Sequence, residues 1–570
     1  MNTKKPTVFF SLLLSHQICS QEFTDVTDET GLTLTHFTSQ TVTAIEDVDH
    51  NTINHVSTLN NRTHLMSTWL TGGVAAGDVN NDGWQDLFVI GGDTGQSAMF
   101  INQGNGTFAN TTQSMGLSVV TGRVAGAVFA DYDGDGDLDL FLGGVLNEAP
   151  RLLQNNLNNS GTFTDVFTQA FIDYDMDFAP NTFGMTLADF NNDLCLDVYL
   201  PHSLTPGGPS PRLRPPNGST QHLWKSDCQG GFTDVSVSAQ IAHLYDDPDI
   251  IYARRDQSFS AQFSDLNEDG HMDLLVAGDI NTSLVLLNNG DETFANVTDR
   301  LIITDRDAMG SFTADLNQDG HMDWFSSNIG GVNLGNRLYQ GLGDGRFVNV
   351  SQASGILEGH WGWGACAADF NGDRWLDIFH VNGFYYPGNT DPNSPDGRYD
   401  NTPAVLFMAQ GDGTFIEQAE LLGIDDQHEG RGVSCFDFDK DGDIDIAIAN
   451  HKGPFKLYRN DLQTQPAFIN LRLISDSPNS LAIGARITVT SSGNGENQRL
   501  VQDIQAGNHF NSASPSNAHF MLGNWSGPLN IHIQWPDNQQ KSITGVDLNQ
   551  YLVITDEDSY SFKDGFDASQ

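Results

Sequence analysis

One acidic motif recurs seven times along this 570-residue chain and restricts its possible folds more than any other feature. The motif runs Asp-x-Asn/Asp-x-Asp, is usually continued by Gly, and ends x-x-Asp. The copies begin at Asp78, Asp131, Asp189, Asp265, Asp315, Asp369 and Asp437, so their starts are 50 to 76 residues apart. Self-similarity at such a period is typical of repeat architectures. The chain is therefore expected to be built from seven similar units.

A second pattern keeps step with the acidic loops. It is a Phe followed three residues later by Val or a comparable residue, and one copy precedes each loop. The copies begin at Phe23, Phe108, Phe163, Phe232, Phe294, Phe347 and Phe415. The copy at Phe23 stands before the first loop, yet none follows the seventh. A closed ring explains this phase if the N-terminal strand completes the last unit.

The residues flanking the loops predict β-strands. Short apolar runs such as GVAAGD before the first loop and LFVIGG after it are bounded by turn residues and lack a helical period. About four such strands fit in each unit. We therefore predict an all-β fold, a seven-bladed β-propeller. The alternative is an open β-solenoid, although solenoid repeats are usually shorter.

The spacing inside each loop predicts a cation site. Side chains at positions 1, 3, 5 and 9 and the carbonyl of position 7 can converge on one ion, and Gly at position 6 permits the tight turn. The predicted ligands are Asp78, Asn80, Asp82, Trp84, Asp86, Asp131, Asp133, Asp135, Asp137, Asp139, Asp189, Asn191, Asp193, Asp197, Asp265, Asn267, Asp269, His271, Asp273, Asp315, Asn317, Asp319, His321, Asp323, Asp369, Asn371, Asp373, Asp377, Asp437, Asp439, Asp441, Asp443 and Asp445. We expect Ca²⁺ at up to seven sites, because Mg²⁺ loses its water reluctantly.

The loops also allow a simpler interpretation and differ among themselves. Asp and Asn favour turns for local reasons, so the motif could be a turn without an ion. Asp133 and Asp439 at position 3 make the second and seventh loops the more anionic. Leu194 and Arg374 replace Gly at position 6, so the third and sixth loops are the weaker candidates.

Composition narrows the class of partner and the compartment. The chain has 73 Asp+Glu against 26 Lys+Arg, a formal charge of −47, which disfavours nucleic acid and anionic membranes as partners.

Residues 1–20 combine a short basic region with an apolar one and predict a signal peptide. No later apolar run approaches the ~20 residues of a membrane helix. Secretion, or export to the periplasm, would allow one or two bridges among Cys195, Cys228, Cys366 and Cys435, although Cys366 and Cys435 could equally be buried thiols.

The motifs together resemble a known family. The seven loops and their GDG-F turns resemble the FG-GAP (VCBS-type) repeats of the integrin α propeller. The C-terminal stretches IGARITV, QRLVQDIQAGNHFNSASP, HFMLG and IHIQWPD resemble the ASPIC/UnbV domain, and the order of the two resembles the cartilage acidic protein family. The resemblance implies secretion, calcium binding and an extracellular interaction role such as cell adhesion. The expected domains are a signal peptide (1–20), the propeller (21–465), an ASPIC/UnbV-like β domain (466–557) and a tail (558–570).

Function is less constrained than fold. The C-terminal domain could mediate adhesion, pack on the propeller edge or act as a structural cap. If cation loops share one face as in integrins, the long connections lie on the opposite face. We expect binding of an extracellular glycan, protein or small anionic ligand there. The alternative is a lyase, hydrolase or cyclase on that face, with His222, Arg254, Arg255 and His360 as candidate catalytic residues. The oligomeric state is left open.

Overall fold

The computed structural model describes residues 22–38, 70–145, 148–157, 161–174, 176, 179–203, 222–242, 257–330, 334–384, 399, 401–491, 498–507 and 509–556. These residues form 35 β-strands, three one-turn α-helices (Thr27–Thr30, Phe167–Ala170, Ser351–Ser354) and two 3₁₀ turns (Leu117–Val119, Glu420–Leu422). Within this part of the chain no helix has the length and apolarity needed to cross a membrane. The predicted signal peptide lies outside it.

Six four-stranded antiparallel sheets follow one another along the chain. Sheet 1 contains β2 (Val74–Gly77), β3 (Asp86–Val89), β4 (Ala98–Asn102) and β5 (Phe108–Asn110). Sheet 2 contains β6 (Val124–Ala130), β7 (Asp139–Gly144), β8 (Arg151–Asn155) and β9 (Phe163–Asp165). Sheet 3 contains β10 (Thr186–Ala188), β11 (Asp197–Leu200), β12 (His222–Ser226) and β13 (Phe232–Asp234). Sheet 4 contains β14 (Ser258–Ser264), β15 (Asp273–Gly278), β16 (Leu284–Asn288) and β17 (Phe294–Asn296). Sheet 5 contains β18 (Ser311–Ala314), β19 (Asp323–Ser326), β20 (Arg337–Gly341) and β21 (Phe347–Asn349). Sheet 6 contains β22 (Gly362–Ala368), β23 (Asp377–Asn382), β24 (Val405–Ala409) and β25 (Phe415–Glu417).

The seventh sheet joins the two ends of this ring. It contains β26 (Glu429–Phe436), β27 (Asp445–His451), β28 (Lys456–Asn460) and, as its outer strand, β1 (Phe23–Asp25). Strand β1 runs antiparallel to β28, with Phe23 opposite Asn460. The innermost strands β26 and β2 are also in contact. The all-β propeller predicted from the repeats is therefore confirmed, and so is its completion by the N-terminal strand.

The hydrophobic core lies between adjacent sheets. Its clusters combine small, branched and aromatic side chains of neighbouring sheets. At the closure, Val74, Leu87 and Phe100 of sheet 1 form one buried cluster with Phe436 and Leu457 of sheet 7. Burial of each such side chain contributes roughly 1.5–3 kcal/mol. Comparable buried clusters join sheets 3 and 4, sheets 4 and 5, and sheets 5 and 6.

The C-terminal domain consists of two smaller sheets. Its strands are β29 (Ala467–Ile474), β30 (Arg486–Ser491), β31 (Arg499–Asp503), β32 (Ala518–Gly523), β33 (Leu529–Gln534), β34 (Gln540–Val546) and β35 (Gln550–Thr555). The strand orders are β32-β29-β35, in which β29 and β35 are parallel, and β31-β30-β33-β34. Apolar residues alternate along β33, as its sequence indicates.

Two disulfides join elements that the sequence could not pair. Cys195 follows the first strand of sheet 3 and bonds Cys228 of the turn between β12 and β13, with Cα atoms 5.5 Å apart. Cys366 of β22 bonds Cys435 of β26 across sheets 6 and 7, with Cα atoms 6.4 Å apart. The alternative of free buried thiols at the second pair is therefore wrong in this structure. This bridge fastens two inner strands 69 residues apart in the chain.

Replacing Cys366 and Cys435 together by Ser is expected to lower the free energy of unfolding by about 2–4 kcal/mol, because the unfolded chain gains freedom when a long loop is opened. Urea titrations of the oxidised wild type and the variant measure the loss. Thiol labelling of the unfolded, unreduced wild-type chain provides the control. Labelling of Cys366 or Cys435 in that sample would contradict the bridge.

Candidate functional site

All seven acidic loops fold in the same way around their first aspartate. Each loop connects the first strand of a sheet to the second, and its first carboxylate is buried. In loop 1 the carboxylate of Asp78 accepts the backbone N–H groups of Asp82 at 2.9 Å and Gly83 at 3.0 Å. The N–H of position 6 bonds the first aspartate in every copy. The first aspartate therefore shapes the turn.

The last aspartate of each loop also has a structural role that sequence reasoning missed. It begins the second strand and is at most 2% exposed. In loop 6 one oxygen of Asp377 accepts the N–H of Phe370 at 3.0 Å and the other that of Ala409 at 2.7 Å. Both bonds recur in all seven copies. Position 9 thus ties the loop to the third strand without any ion.

Burial favours the protonated form of the position 9 carboxylates when no cation is near. Desolvation raises the pKa of Asp86 to about 8, of Asp273 to about 7 and of Asp323 to about 8. Neighbouring loop aspartates raise these pKa values further, while the backbone N–H groups oppose the shift. A bound divalent cation would favour the ionised form and release protons.

The loops that lack Gly keep the same backbone. Leu194 and Arg374 adopt φ values of +68° and +81°, close to the +88° of Gly83 in loop 1. Such a left-handed conformation costs a non-glycine residue on the order of 1–3 kcal/mol. Loops 3 and 6, which the sequence indicated as the weaker candidate sites, therefore keep the same backbone conformation at position 6. Whether they bind an ion stays a prediction.

Neighbouring loops are linked through position 4, which no sequence argument singled out. Its residue has a positive φ in every copy. The side chain of Asn81 in loop 1 donates to Asp137 of loop 2 at 2.9 Å, and Gln318 of loop 5 donates to the carbonyl of Arg374 in loop 6 at 2.7 Å. Position 4 is Gly134 in loop 2 and Gly372 in loop 6, which have no side chain to make such a bond. Because every loop joins the first strand of its sheet to the second, the seven loops lie at the same end of the propeller, here called the loop face.

Loops 2 and 7 bring carboxylates closest together. Oxygens of Asp131, Asp133 and Asp139 all lie within 4.8 Å of one another, and so do those of Asp437, Asp439 and Asp445. The Oδ1 atoms of Asp133 and Asp439 are buried and accept no hydrogen bond. A buried carboxylate oxygen without a donor is costly unless a cation meets it. These two loops therefore offer clustered carboxylate oxygens, the type of ligand that hard cations prefer.

A third acidic group does not fit a metal in the same way. Asp193 lies near the sulfur atoms of Cys195 and Cys228. Both sulfurs are committed to the disulfide, and a thiolate is the form that binds metals. This group therefore offers a single carboxylate.

The C-terminal domain lies on the loop face and not on the propeller edge. Arg472 bonds Asp78 in loop 1, Ser480 donates to Asp131 in loop 2, and Tyr551 donates to Asp437 in loop 7. Arg486 and Arg499 donate to backbone carbonyls of loops 4 and 5. The cap interpretation is thus closer to the structure than edge packing.

The segment between β31 and β32 enters the centre of the propeller. The carbonyls of Ala506 and Ala513 accept N–H groups of the inner strands β10 and β2, at 3.0 and 3.1 Å. Phe510 is fully buried, with ring centres of Phe183, Phe259 and Trp363 at 5.8, 5.8 and 5.3 Å. These rings come from sheets 3, 4 and 6. The C-terminal domain therefore fills the axis as well as covering the loops.

A cavity of about 430 Å³ remains between the loop face and the C-terminal domain. Its walls include Asp315 and Asp369 of loops 5 and 6 and Gln502, His519 and Tyr551 of the C-terminal domain. The volume falls in the range of small-molecule sites. It contains both hydrogen-bonding and apolar groups, so it can hold a small polar ligand.

Of the four candidate catalytic residues, the structure describes His222 and His360. His222 opens β12 in sheet 3, and its Nδ1 lies 2.9 Å from Nε2 of His202, which in turn contacts Thr182. Burial lowers the pKa of both histidines. His360 precedes β22 in sheet 6 and is half-buried. Arg254 and Arg255 lie outside the described residues. The two histidines thus belong to separate sheets.

Family models match both parts of the chain. FG-GAP-like repeat matches residues 78–142, 265–326 and 328–380, and ASPIC and UnbV matches residues 475–561. Cartilage acidic protein 1 from Homo sapiens is 48% identical over 60 residues, which are 10% of this chain and 9% of that protein. The Xenopus tropicalis protein is 45% identical over 60 residues, again 10% and 9% of the two chains. The chain therefore matches only about a tenth of these curated relatives.

Two solved structures are similar to this chain at low sequence identity and low TM-score. An Agrocybe aegerita lectin described as recognising non-reducing terminal N-acetylglucosamine is 17% identical, covers 61% of this chain and 79% of its own, and gives a TM-score of 0.34. The V. cholerae biofilm matrix protein Bap1 is 12% identical, and the alignment covers 83% of this chain and 72% of the Bap1 chain with a TM-score of 0.29. Neither value supports an argument about function.

Proposed function

We propose that this chain, which carries FG-GAP-like repeats and an ASPIC and UnbV domain, is a secreted calcium-binding propeller protein that binds an extracellular glycan, protein or small anionic ligand. The observation that carries the proposal is the clustering of three carboxylates in loop 2 and three in loop 7, each with one buried oxygen that lacks a donor. Calcium would hold the loop face together, and the ligand would bind the rigid scaffold.

Calcium is the cation that these two loops fit best. Asp131, Asp133 and Asp139 in loop 2 offer oxygen atoms only, which hard cations prefer. Backbone N–H groups already orient the first and last of these carboxylates, so little rearrangement is needed for them to meet an ion. When bound, calcium would offset the repulsion among the clustered charges. The remaining predicted ligands in the other loops are proposals of lower support.

Two features support an extracellular binding role. The two disulfides are typical of proteins from oxidising compartments. The cavity beneath the C-terminal domain has the volume of a small-ligand site, and its walls include the basic side chains of Arg374 and Lys440. A ligand with anionic or hydroxyl groups would match these donors.

Calcium titration of the intact oxidised chain tests the proposal. Equilibrium dialysis is expected to find bound Ca²⁺ in the wild type and a loss of two sites in a variant with Asp133→Asn and Asp439→Asn. The substitutions keep size and remove one negative charge from each cluster. Asp412→Asn is the matched control, because Asp412 is exposed in a turn outside the acidic loops and its loss should leave the count unchanged.

Ligand binding is tested separately with the calcium-loaded protein. A panel of oligosaccharides and small carboxylates is screened by thermal shift, and a stabilising compound is then titrated against the wild type and Arg374→Gln. Weaker binding by the variant would support the cavity. An unchanged affinity would place the ligand elsewhere, and failure of the wild type to bind Ca²⁺ would remove the basis of the proposal.

A further inference from the structure

The guanidinium group of Arg472 lies inside the first acidic loop. Arg472 belongs to β29 of the C-terminal domain and is 394 residues from Asp78. Its Nη1 donates to Oδ2 of Asp78 at 2.7 Å, and its Nη2 donates to Oδ1 of Asn81 at 2.9 Å. The side chains of Arg472 and Asp78 are 25% and 5% exposed, so the pair is largely shielded from water. Such charge-assisted bonds to a buried carboxylate are among the stronger ones.

A second cation lies beside the same loop. The Nζ atom of Lys440, from position 4 of loop 7, lies 4.4 Å from the centre of the Trp84 ring in loop 1. The carboxylates that act on it are Asp78 of loop 1, Asp437 of its own loop 7 and Asp82 of loop 1. Loop 1 carries Asn80 and Trp84 at positions 3 and 7, where loops 2 and 7 carry Asp, so it has two carboxylates fewer than either of them. The negative charge of loop 1 is therefore offset directly by Arg472, and Lys440 lies close by between loops 1 and 7.

Loops 2 and 7 receive uncharged groups from the C-terminal domain. The hydroxyl of Ser480 donates to Asp131, and the hydroxyl of Tyr551 donates to Asp437. Each is a neutral donor, so the contact leaves the negative charge of the loop in place. Arg459 lies near loop 7, but it bonds Asp461 at 2.9 Å. The C-terminal domain thus contacts loop 1 through a charged guanidinium group and loops 2 and 7 through neutral hydroxyl groups.

We propose that Arg472 is a built-in counter-ion of loop 1, so that this loop takes no divalent cation while the C-terminal domain is docked, whereas loops 2 and 7 bind calcium. The inference rests on the proposed calcium-binding function and refines it. The guanidinium group and a calcium ion would compete for the carboxylate of Asp78. Both are positively charged, so they would repel each other if they bound this carboxylate together. Calcium can occupy loop 1 only if Arg472 leaves it.

Calcium stoichiometry of loop 1 variants tests this inference. Equilibrium dialysis uses the intact chain after removal of bound calcium. Asp78→Asn is expected to leave the number of sites unchanged, whereas Asp439→Asn is expected to remove one. Arg472→Gln, which keeps a similar length and removes the charge, is expected to add one site. In the double variant Arg472→Gln with Asp78→Asn the number is expected to return to that of the wild type, which would assign the added site to loop 1.

The outcomes separate this inference from the function beneath it. If Asp78→Asn removes a calcium site from the wild type, loop 1 binds calcium and the inference is overturned while calcium binding stands. If folded Arg472→Gln gains no site, the competition is also refuted. Should Arg472→Gln fail to fold, as judged by its melting curve, the Asp78→Asn result alone decides. Absence of any bound calcium in the wild type would overturn both.

Discussion

Removing calcium from the intact chain is expected to lower its melting temperature by several degrees. A ligand that binds only the folded state stabilises it by RT ln(1 + [L]/Kd), and extracellular calcium modules often have Kd values of ~0.1–1 mM. In 10 mM Ca²⁺, sites in loops 2 and 7 would together contribute roughly 3–5 kcal/mol. Differential scanning calorimetry in 10 mM Ca²⁺ and again in excess EGTA measures the change.

The variant that lacks the charges at Asp133 and Asp439 provides the control for chelation. Its melting temperature should respond little to EGTA, because the two clusters that carry the effect are weakened. Magnesium at the same concentration should restore less stability than calcium, since it retains its hydration. A wild-type protein whose melting curve is the same in calcium and EGTA would count against structural calcium in these loops.

Replacing Asp377 by Ala is expected to destabilise the propeller by about 2–6 kcal/mol, with or without calcium. The substitution leaves the buried N–H groups of Phe370 and Ala409 without acceptors, and each such loss costs about 1–3 kcal/mol. The loop then loses its attachment to β24. Urea titrations in EGTA isolate this effect, because no ion contributes under that condition.

Asp373→Ala in the same loop is the matched control. Asp373 is exposed, and the N–H of Trp375 that it accepts can bond water instead. Its loss should therefore cost less than about 1 kcal/mol. A loss at Asp377 no larger than the loss at Asp373 would contradict the anchoring role of position 9. A loss at Asp377 that is seen only in calcium would show that it acts as a ligand and not as a structural anchor.

Much of the fold follows from local patterns. The seven acidic loops and the seven Phe elements alternate in a fixed phase, and this phase predicted that β1 would complete the seventh sheet. The pairing of β1 with the seventh sheet, in which Phe23 lies opposite Asn460, could be predicted without knowing any distant side chain. The seventh unit lacks an outer strand of its own, and in a closed ring the N-terminal strand fills that position. The strand runs and the separate C-terminal β domain were equally evident from residue type and spacing.

The details of the site could be predicted only in part. The sequence identified the acidic positions, but it treated the first, third, fifth and ninth residues as equivalent ligands. The structure divides them, since Asp377 and its equivalents already accept two N–H groups whereas Asp133 and Asp439 each keep a buried oxygen without a donor. A carboxylate serves either purpose, so residue type alone does not distinguish them.

The sequence by itself determined the repeats, the strands, the closure of the ring and the position of every acidic loop, because each follows from local motifs or from the phase in which these motifs recur. Tertiary structure alone decided that the C-terminal domain covers the loop face, that Cys366 meets Cys435 and that Arg472 meets Asp78. These contacts join residues 69 and 394 positions apart. They depend on how rigid sheets and domains dock, and no local spacing or propensity encodes which distant charges then become neighbours.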